Sequence, residues 1–256
     1  MITDFRDKKL VEYLEPGQRV LIRFGHGLGD TIMFMPILDD LRRKYPDVAF
    51  DLYVECGQEA IWESVPDKDA PGYDHVFSLN FPMSEGSGIT KQQRCCLDEV
   101  GITPPAAEFG ALPACASPLV CCHFQGTALP DSVNCPPETA EAIWNEIVEA
   151  GKVPMECHFR HVFHNPRNAP FRFAHNHVRH CEASVRSLVG LLQHSFAFVG
   201  VASGPLVAAC SIMPQRVLFL SNRHELGAYT QADIPTVDVT QTYAAGAVRA
   251  WLGGLS

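Results

Sequence analysis

Residues 20–45, VLIRFGHGLGDTIMFMPILDDLRRKY, decide the fold that the sequence predicts for this chain. The apolar run 20–24 predicts a strand, and glycines at 25, 27 and 29 predict a tight turn where backbone can approach a ligand closely. Apolar residues at helical spacing then predict a helix over 30–45. The first turn of such a helix has unpaired N–H groups that bind anions, and a carboxylate at Asp30 could take a proton from a bound hydroxyl.

A structural interpretation of Asp30 stays open beside the catalytic one. Aspartate is a favoured N-cap residue, and a cap stabilises a helix by about 1 kcal/mol. The dinucleotide motif G-x-G-x-x-G is not met, because its last glycine falls at Asp30, and no Lys-Ser/Thr pair follows to form a P-loop. The turn therefore predicts either a capped helix or a catalytic carboxylate.

Length, composition and charge exclude several classes of protein. The 256 residues are compatible with one or two domains, and an apolar content of 46% supports a real core. No run approaches the ~20 apolar residues of a membrane-spanning helix, and no apolar leader opens the sequence, so a cytoplasmic protein is expected. The net charge of −9, of which −8 falls within residues 1–115, disfavours general nucleic-acid binding.

Most of the cysteines are expected to be reduced thiols in the core. Ten are present, including the adjacent pairs Cys95-Cys96 and Cys121-Cys122. They occur in apolar or helical contexts and not in a spaced disulfide framework.

The alternation of strand and helix patterns predicts an α/β protein with two Rossmann-like domains facing a cleft. A proline- and alanine-rich passage at 102–117 predicts the linker, which gives domains 1–112 and 113–256, with a terminal helix able to pack back on the first domain. The predicted strands are 19–24, 47–54, 74–79, 119–124, 153–159, 196–201 and 217–220. The predicted helices are 30–45, 57–64, 91–100, 137–150, 183–194 and 241–253, with Gly101 and Gly151 ending the third and the fourth.

A second turn, Ala202-Ser203-Gly204-Pro205, precedes a short predicted helix. Proline suits the first helical position, and the Ser203 hydroxyl with the Gly204 N–H forms a plausible phosphate site.

The tract 157–187 is rich in histidine and arginine, and three interpretations of it stay open. Its arginines could clamp a diphosphate, since guanidinium matches phosphate oxygens bidentately. Its histidines, with Cys157 and Cys181, could bind a metal such as zinc, although their spacing fits no standard module. The third interpretation is a solvated, mildly basic loop.

The chain resembles the heptosyltransferase family, glycosyltransferase family nine, over most of its length. The first matching motif is Gly29-Asp30-Thr31-Ile32 with Pro36 and Leu41-Arg42-Arg43-x-Tyr45-Pro46. The second runs from Phe198 through Ser203-Gly204-Pro205-Leu206 to Ala209. The segment 92–104 also looks like the family's segment before the linker.

This resemblance implies a GT-B fold, with the acceptor on the first domain and a nucleotide-sugar donor on the second. It implies inverting, metal-independent and cofactor-free transfer of a heptose, often from ADP-heptose, onto a glycan of lipopolysaccharide, with Asp30 as general base. No membrane-spanning segment is expected, while peripheral membrane contact stays open. The acceptor residues are expected to be His26, Gly27, Gly29 and Thr31. The donor residues are expected to be Thr127, Arg172, Arg179, Ser203, Gly204, Pro205 and Leu206.

An alternative function is a non-catalytic relative that binds a nucleotide or a sugar. The family usually has an acidic residue where this chain has Ala202 and a histidine where it has Val207. The loop 125–132 also lacks the lysine that meets the diphosphate in the family.

Overall fold

The computed structural model describes residues 8–25, 27–55, 65, 69, 71–79, 81, 90–105, 117–126, 134–159, 179–182, 185–221, 230, 233–239 and 243–255. The chain divides into two compact units. The first comprises Met1–Ala107 with Gly227–Gln231, and the second comprises Glu108–Leu226 with Ala232–Ser256. The predicted domain boundary at residue 112 lies outside the described residues, so it stays a prediction.

The first unit is built on a parallel sheet in the order β2-β1-β3. Its strands are β1 (Arg19–Phe24), β2 (Ala49–Val54) and β3 (His75–Leu79), and its helices are α1 (Leu28–Lys44) and α2 (Lys91–Cys95). A 3₁₀ turn, Leu10–Tyr13, precedes β1, and a π-helical turn, Cys96–Val100, continues α2. Parallel strands need a crossover, and α1 supplies it between β1 and β2.

The central strand β1 is apolar because it is covered on both faces. Val20, Leu21 and Ile22 are fully buried in succession, as is typical of a strand in a parallel sheet. At the end of β1, the Phe24 ring stacks on the Phe34 ring of α1 with 4.9 Å between centroids. This contact fixes the start of α1 beside the carboxyl end of β1.

Helix α1 begins two residues earlier than predicted. Gly27 is its N-cap, with extended backbone at φ −63° and ψ 165°, so Leu28 is already helical. Pro36 lies inside the helix, which nevertheless continues to Lys44. The helix predicted at 57–64 lies outside the described residues, as does most of the loop 80–90.

Gly101 ends the helical segment after β3, as predicted. Its φ of +85° is left-handed, and its N–H donates to the Cys96 carbonyl at 2.8 Å. A Cβ at this position would lie 2.6 Å from the Cβ of Lys9. Both the backbone conformation and the close approach therefore require glycine.

The second unit is built on a six-stranded parallel sheet in the order β6-β5-β4-β7-β8-β9. Its strands are β4 (Leu119–His123), β5 (Val153–Phe159), β6 (Arg179–Glu182), β7 (Ala197–Gly200), β8 (Val217–Ser221) and β9 (Thr236–Asp238). Its helices are α3 (Pro137–Glu149), α4 (Val185–Gln193), α5 (Gly204–Ile212) and α6 (Ala247–Gly254), with a 3₁₀ turn at Pro214–Arg216. The short strand β9 was not predicted.

The interpretation of the tract 157–187 as a loop is wrong for residues 179–182. These residues form β6, which pairs with β5 so that Arg179 lies opposite Glu156, while residues 157–159 complete β5 as predicted. The composition of this tract gave no strand pattern at 179–182, because a short strand at the edge of a sheet depends on pairing with its neighbour more than on local preference. Residues 160–178 lie outside the described residues.

Helix α6 packs on α3 within the second unit. Val248 and Leu252 join the core cluster around Trp144 and Ile147. The buried carboxylate of Glu146 accepts the N–H groups of Gly246, Val248 and Arg249 at 2.6, 3.0 and 3.2 Å. One side chain of α3 thus satisfies the first turn of α6.

The described cysteines are core thiols, as predicted. The seven cysteines whose side chains the structure describes are buried and free, namely Cys95, Cys96, Cys121, Cys122, Cys135, Cys157 and Cys210. Burial raises the pKa of Cys96 and of Cys210 to about 12. Among the helices in the described part of the chain, none is long and apolar enough to cross a membrane.

Gly101→Ala is expected to cost about 3 kcal/mol or more of unfolding free energy, because it adds a clash with Lys9 to the left-handed strain. Gly17→Ala is the matched control, since Gly17 has φ +86° but no atom within 4 Å of an added Cβ. It should cost about 1 kcal/mol. Urea unfolding measures both losses, and equal losses would show that the contact with Lys9 is relieved at no cost.

Glu146→Ala is expected to destabilise the protein by about 2–4 kcal/mol, because it leaves three N–H groups of α6 without their acceptor. Glu149→Ala is the control, because this carboxylate is 57% exposed and pairs with Arg249 at 2.8 Å on the surface. The control should lose less than about 1 kcal/mol. Thermal and urea unfolding would contradict this account if the two variants were equally stable.

Candidate functional site

Asp30 lies in the first turn of α1, just beyond the carboxyl end of β1. It is the third helical residue, and its side chain is 16% exposed. In parallel α/β sheets, ligands bind beyond the carboxyl ends of the strands. Asp30 therefore occupies a position where a carboxylate can meet a ligand.

Asp30 is not the N-cap, so the capping interpretation is wrong. Gly27 takes that position, so the helix has no side-chain cap. A negative charge in the first turn still favours the helix by about 0.3–1 kcal/mol through the macrodipole. One partner of the carboxylate comes from another helix.

That partner is Lys91, the first residue of α2. Its Nζ lies 3.2 Å from Asp30 Oδ1, and the two side chains are only 11% and 16% exposed. The pair joins positions 61 residues apart in the sequence. Sequence reasoning missed Lys91, although the pattern Thr90-x-x-Gln93 is a capping box that marks the helix start.

Two reciprocal hydrogen bonds fix the start of α2, and a third ties it to α1. Thr90 accepts the N–H of Gln93, and the Gln93 side chain accepts the N–H of Thr90 in return. Gln92 Nε2 donates to the Met33 carbonyl of α1 at 2.8 Å. Lys91 therefore reaches Asp30 from a helix whose first turn is fixed by hydrogen bonds.

The structure locates three of the four predicted acceptor residues, whose contact with an acceptor stays a prediction. Thr31 is fully buried, and its hydroxyl donates to the Gly27 carbonyl at 3.2 Å, which holds the turn. Gly27 and Gly29 lie beside Asp30 at the start of α1. His26 lies outside the described residues.

The second predicted turn does cap a helix. Ser203 is the N-cap of α5: its Oγ accepts the Leu206 N–H at 3.4 Å and donates to the Val201 carbonyl at 3.0 Å. Gly204 is the first helical residue and, like Ser203, is partly exposed.

Pro205 and Leu206 are two of the predicted donor residues, and their contact with a donor stays a prediction. Both are buried, because this face of α5 packs into the core, and Pro205 is the second helical residue. Arg179 lies in β6, while Thr127 and Arg172 lie outside the described residues.

A buried histidine lies at the carboxyl end of β4, where sequence reasoning proposed no role. His123 is 1% exposed, and its Nδ1 lies 2.7 Å from the Cys157 carbonyl. The next loop begins with the Gly126 N–H donating to Asn134 Oδ1 at 2.8 Å. These bonds lie at the two ends of the loop 125–132, the loop that meets the donor diphosphate in the family that the sequence resembles.

The described residues contain no group of three metal-binding side chains. His175 and His177, the centre of the metal hypothesis, lie outside them.

Solved structures with similar folds are bacterial glycosyltransferases. E. coli heptosyltransferase WaaC, solved with ADP, has a TM-score of 0.57 and 15% identity over 93% of this chain and 100% of that chain. E. coli ADP-heptose LPS heptosyltransferase II has a TM-score of 0.57 and 10% identity over 92% and 98%. The dodecameric iron-containing glycosyltransferase TibC of enterotoxigenic E. coli has a TM-score of 0.59 and 16% identity, and 65% of its chain is covered by 89% of this one.

No protein-family model and no curated protein matches the sequence. The structural similarity confirms the fold predicted from the resemblance, which is α/β and GT-B-like with Rossmann-like units.

Ser203→Ala is expected to lose about 1 kcal/mol of stability, because α5 loses its side-chain cap, whereas Ser203→Gly should lose only a few tenths. Ser211→Ala is the control on the same helix, since the Ser211 hydroxyl only donates to the Val207 carbonyl at 3.1 Å. Urea unfolding measures all three variants. A Ser203→Ala protein as stable as the control would argue against the cap.

Proposed function

We propose that this chain is a glycosyltransferase of the heptosyltransferase type, with Asp30 as the general base. The observation that carries the proposal is the position of Asp30, at the carboxyl end of β1 on a GT-B-like fold. Its ion pair with Lys91 supports the proposal, because a carboxylate held in one orientation suits proton abstraction.

In the proposed reaction, Asp30 accepts the proton of an acceptor hydroxyl. The hydroxyl oxygen forms a bond to the anomeric carbon of the donor sugar while the bond from that carbon to the diphosphate breaks on the opposite face. The anomeric configuration is inverted, and the nucleoside diphosphate leaves with the bonding electrons. The reaction uses no metal or cofactor.

The second unit is proposed to bind the nucleotide-sugar donor. The Ser203 and Gly204 turn at the start of α5 offers backbone N–H groups to the diphosphate. Thr127, Arg172 and Arg179 are proposed to complete the contacts, with guanidinium groups pairing phosphate oxygens.

The donor is proposed to be ADP-heptose or a related nucleotide sugar, and the acceptor a glycan such as a lipopolysaccharide core. WaaC was solved with ADP, and TibC was solved with an ADP-heptose, which supports this class of donor. The protein is proposed to carry out this transfer in the cytoplasm.

Asp30→Asn is expected to lower turnover of the nucleotide sugar at least about 100-fold, because the amide cannot accept the proton. Asp39→Asn is the matched control, since Asp39 is on the same helix but 67% exposed and 3.9 Å from Arg42. The control should keep wild-type turnover. Release of nucleoside diphosphate from a panel of ADP-, GDP- and UDP-sugars, with and without glycan acceptors, measures the rates.

Two results would contradict the proposal. Equal turnover by wild type and Asp30→Asn would remove the general base. Tight calorimetric binding of a nucleotide sugar with no turnover by wild type would instead favour the non-catalytic binding protein.

A further inference from the structure

We propose that Lys91 is a positioning residue that holds the Asp30 carboxylate in the orientation needed for proton abstraction. The inference rests on the proposed function and assigns a role to a residue that neither the motifs nor the turn at 25–31 contains. It is carried by the burial of the pair, by the rigid placement of α2 and by the contrast with the other carboxylate on α1.

The burial of Lys91 is unusual for a lysine and calls for a partner. Lysine is almost never fully buried unless it is paired, because an ammonium group out of water is costly. The ammonium of Lys91 lies 3.2 Å from Asp30 Oδ1, and the whole residue is 9% exposed. Because both charges lie in a partly desolvated setting, their pairing restricts the rotamers of both side chains.

The helix that presents Lys91 is itself held in place. The reciprocal bonds of Thr90 and Gln93 fix the first turn of α2, and Gln92 ties that turn to the Met33 carbonyl of α1. Lys91 lies between these contacts in the sequence. The distance from its Nζ to Asp30 is therefore set by the docking of two helices and not by a mobile loop.

Asp40 shows what a structural carboxylate on the same helix looks like. It is buried and paired with Arg43 and Lys44, which lie three and four residues further along α1, at 2.5 and 2.7 Å. Such local pairs need no tertiary contact. Asp30 instead takes its cation from another helix, so its orientation depends on the tertiary structure beside the carboxyl end of the sheet.

Holding a reacting group within a fraction of an ångström matters for rate. A displacement of about 1 Å can cost on the order of 100-fold in turnover. Lys91 is expected to act on kcat through Asp30, and not on the binding of either substrate.

Lys91→Met is expected to lower kcat about 10- to 100-fold, with KM for donor and acceptor within about 3-fold of wild type. Lys91→Gln should lower kcat to the same extent, because it loses the charge, although it keeps a hydrogen-bond donor. Lys91→Arg should recover most of the rate, since it keeps the cation. Lys44→Met is the control, because it removes a 2.7 Å pair from a buried carboxylate of the same helix far from Asp30, and it should keep wild-type kcat.

A double variant tests whether Lys91 acts through Asp30. Adding Lys91→Met to Asp30→Asn should cause no further loss of rate, because the group being positioned is already gone. If Lys91→Met lowered the rate of Asp30→Asn by the same factor as it lowers the rate of wild type, the proposal would be overturned. A raised KM for the acceptor at unchanged kcat would also overturn it, because it would show that Lys91 binds substrate directly.

Two further outcomes would show that Lys91 does not position Asp30. If every Lys91 variant, including Lys91→Arg, loses thermal stability and rate in parallel, the residue is structural and the proposal is wrong. The proposed function is judged separately, by wild type against Asp30→Asn. If Asp30→Asn is inactive while Lys91→Met and Lys91→Gln match wild type, only the positioning role fails.

Discussion

The candidate site depends on how α1 is docked at the carboxyl end of β1. The stack of Phe24 on Phe34 joins strand to helix, and the Gly27 cap with the Thr31 hydroxyl closes the turn between them. The docking of α2 then brings the ammonium group of Lys91 to the carboxylate of Asp30 in that first turn. Apolar packing sets the position of this turn, and the Asp30–Lys91 pair sets the direction of its carboxylate.

Much of this fold could be predicted from local sequence. The apolar run before the glycine turn predicts β1, because a strand covered on both faces has no alternating pattern. The helical period of α3 and its Trp144 face predict the helix that covers the second sheet. The short strand β9 and the strand β6 inside the histidine- and arginine-rich tract could not be predicted, because edge strands of three or four residues depend on pairing with distant neighbours.

The candidate site was predictable only where its chemistry is local. Asp30 could be predicted from the glycine turn that precedes it, and Ser203 from the turn at the start of its helix. Lys91 could not be found this way, since a partner 61 residues away is brought in by tertiary structure. The burial of Thr31 and Leu206 could not be predicted from motif position either, because it depends on how each helix packs on its sheet.

The buried thiols of the two units give the protein a set of internal reporters. Cys95 and Cys96 are sealed in the first unit, while Cys121, Cys122, Cys135, Cys157 and Cys210 are sealed in the second. A thiol reacts with an alkylating reagent only while the structure around it is open, so the labelling rate of each cysteine follows local unfolding. Peptide mapping after brief labelling can therefore tell whether the two units open together or one before the other, without any engineered probe.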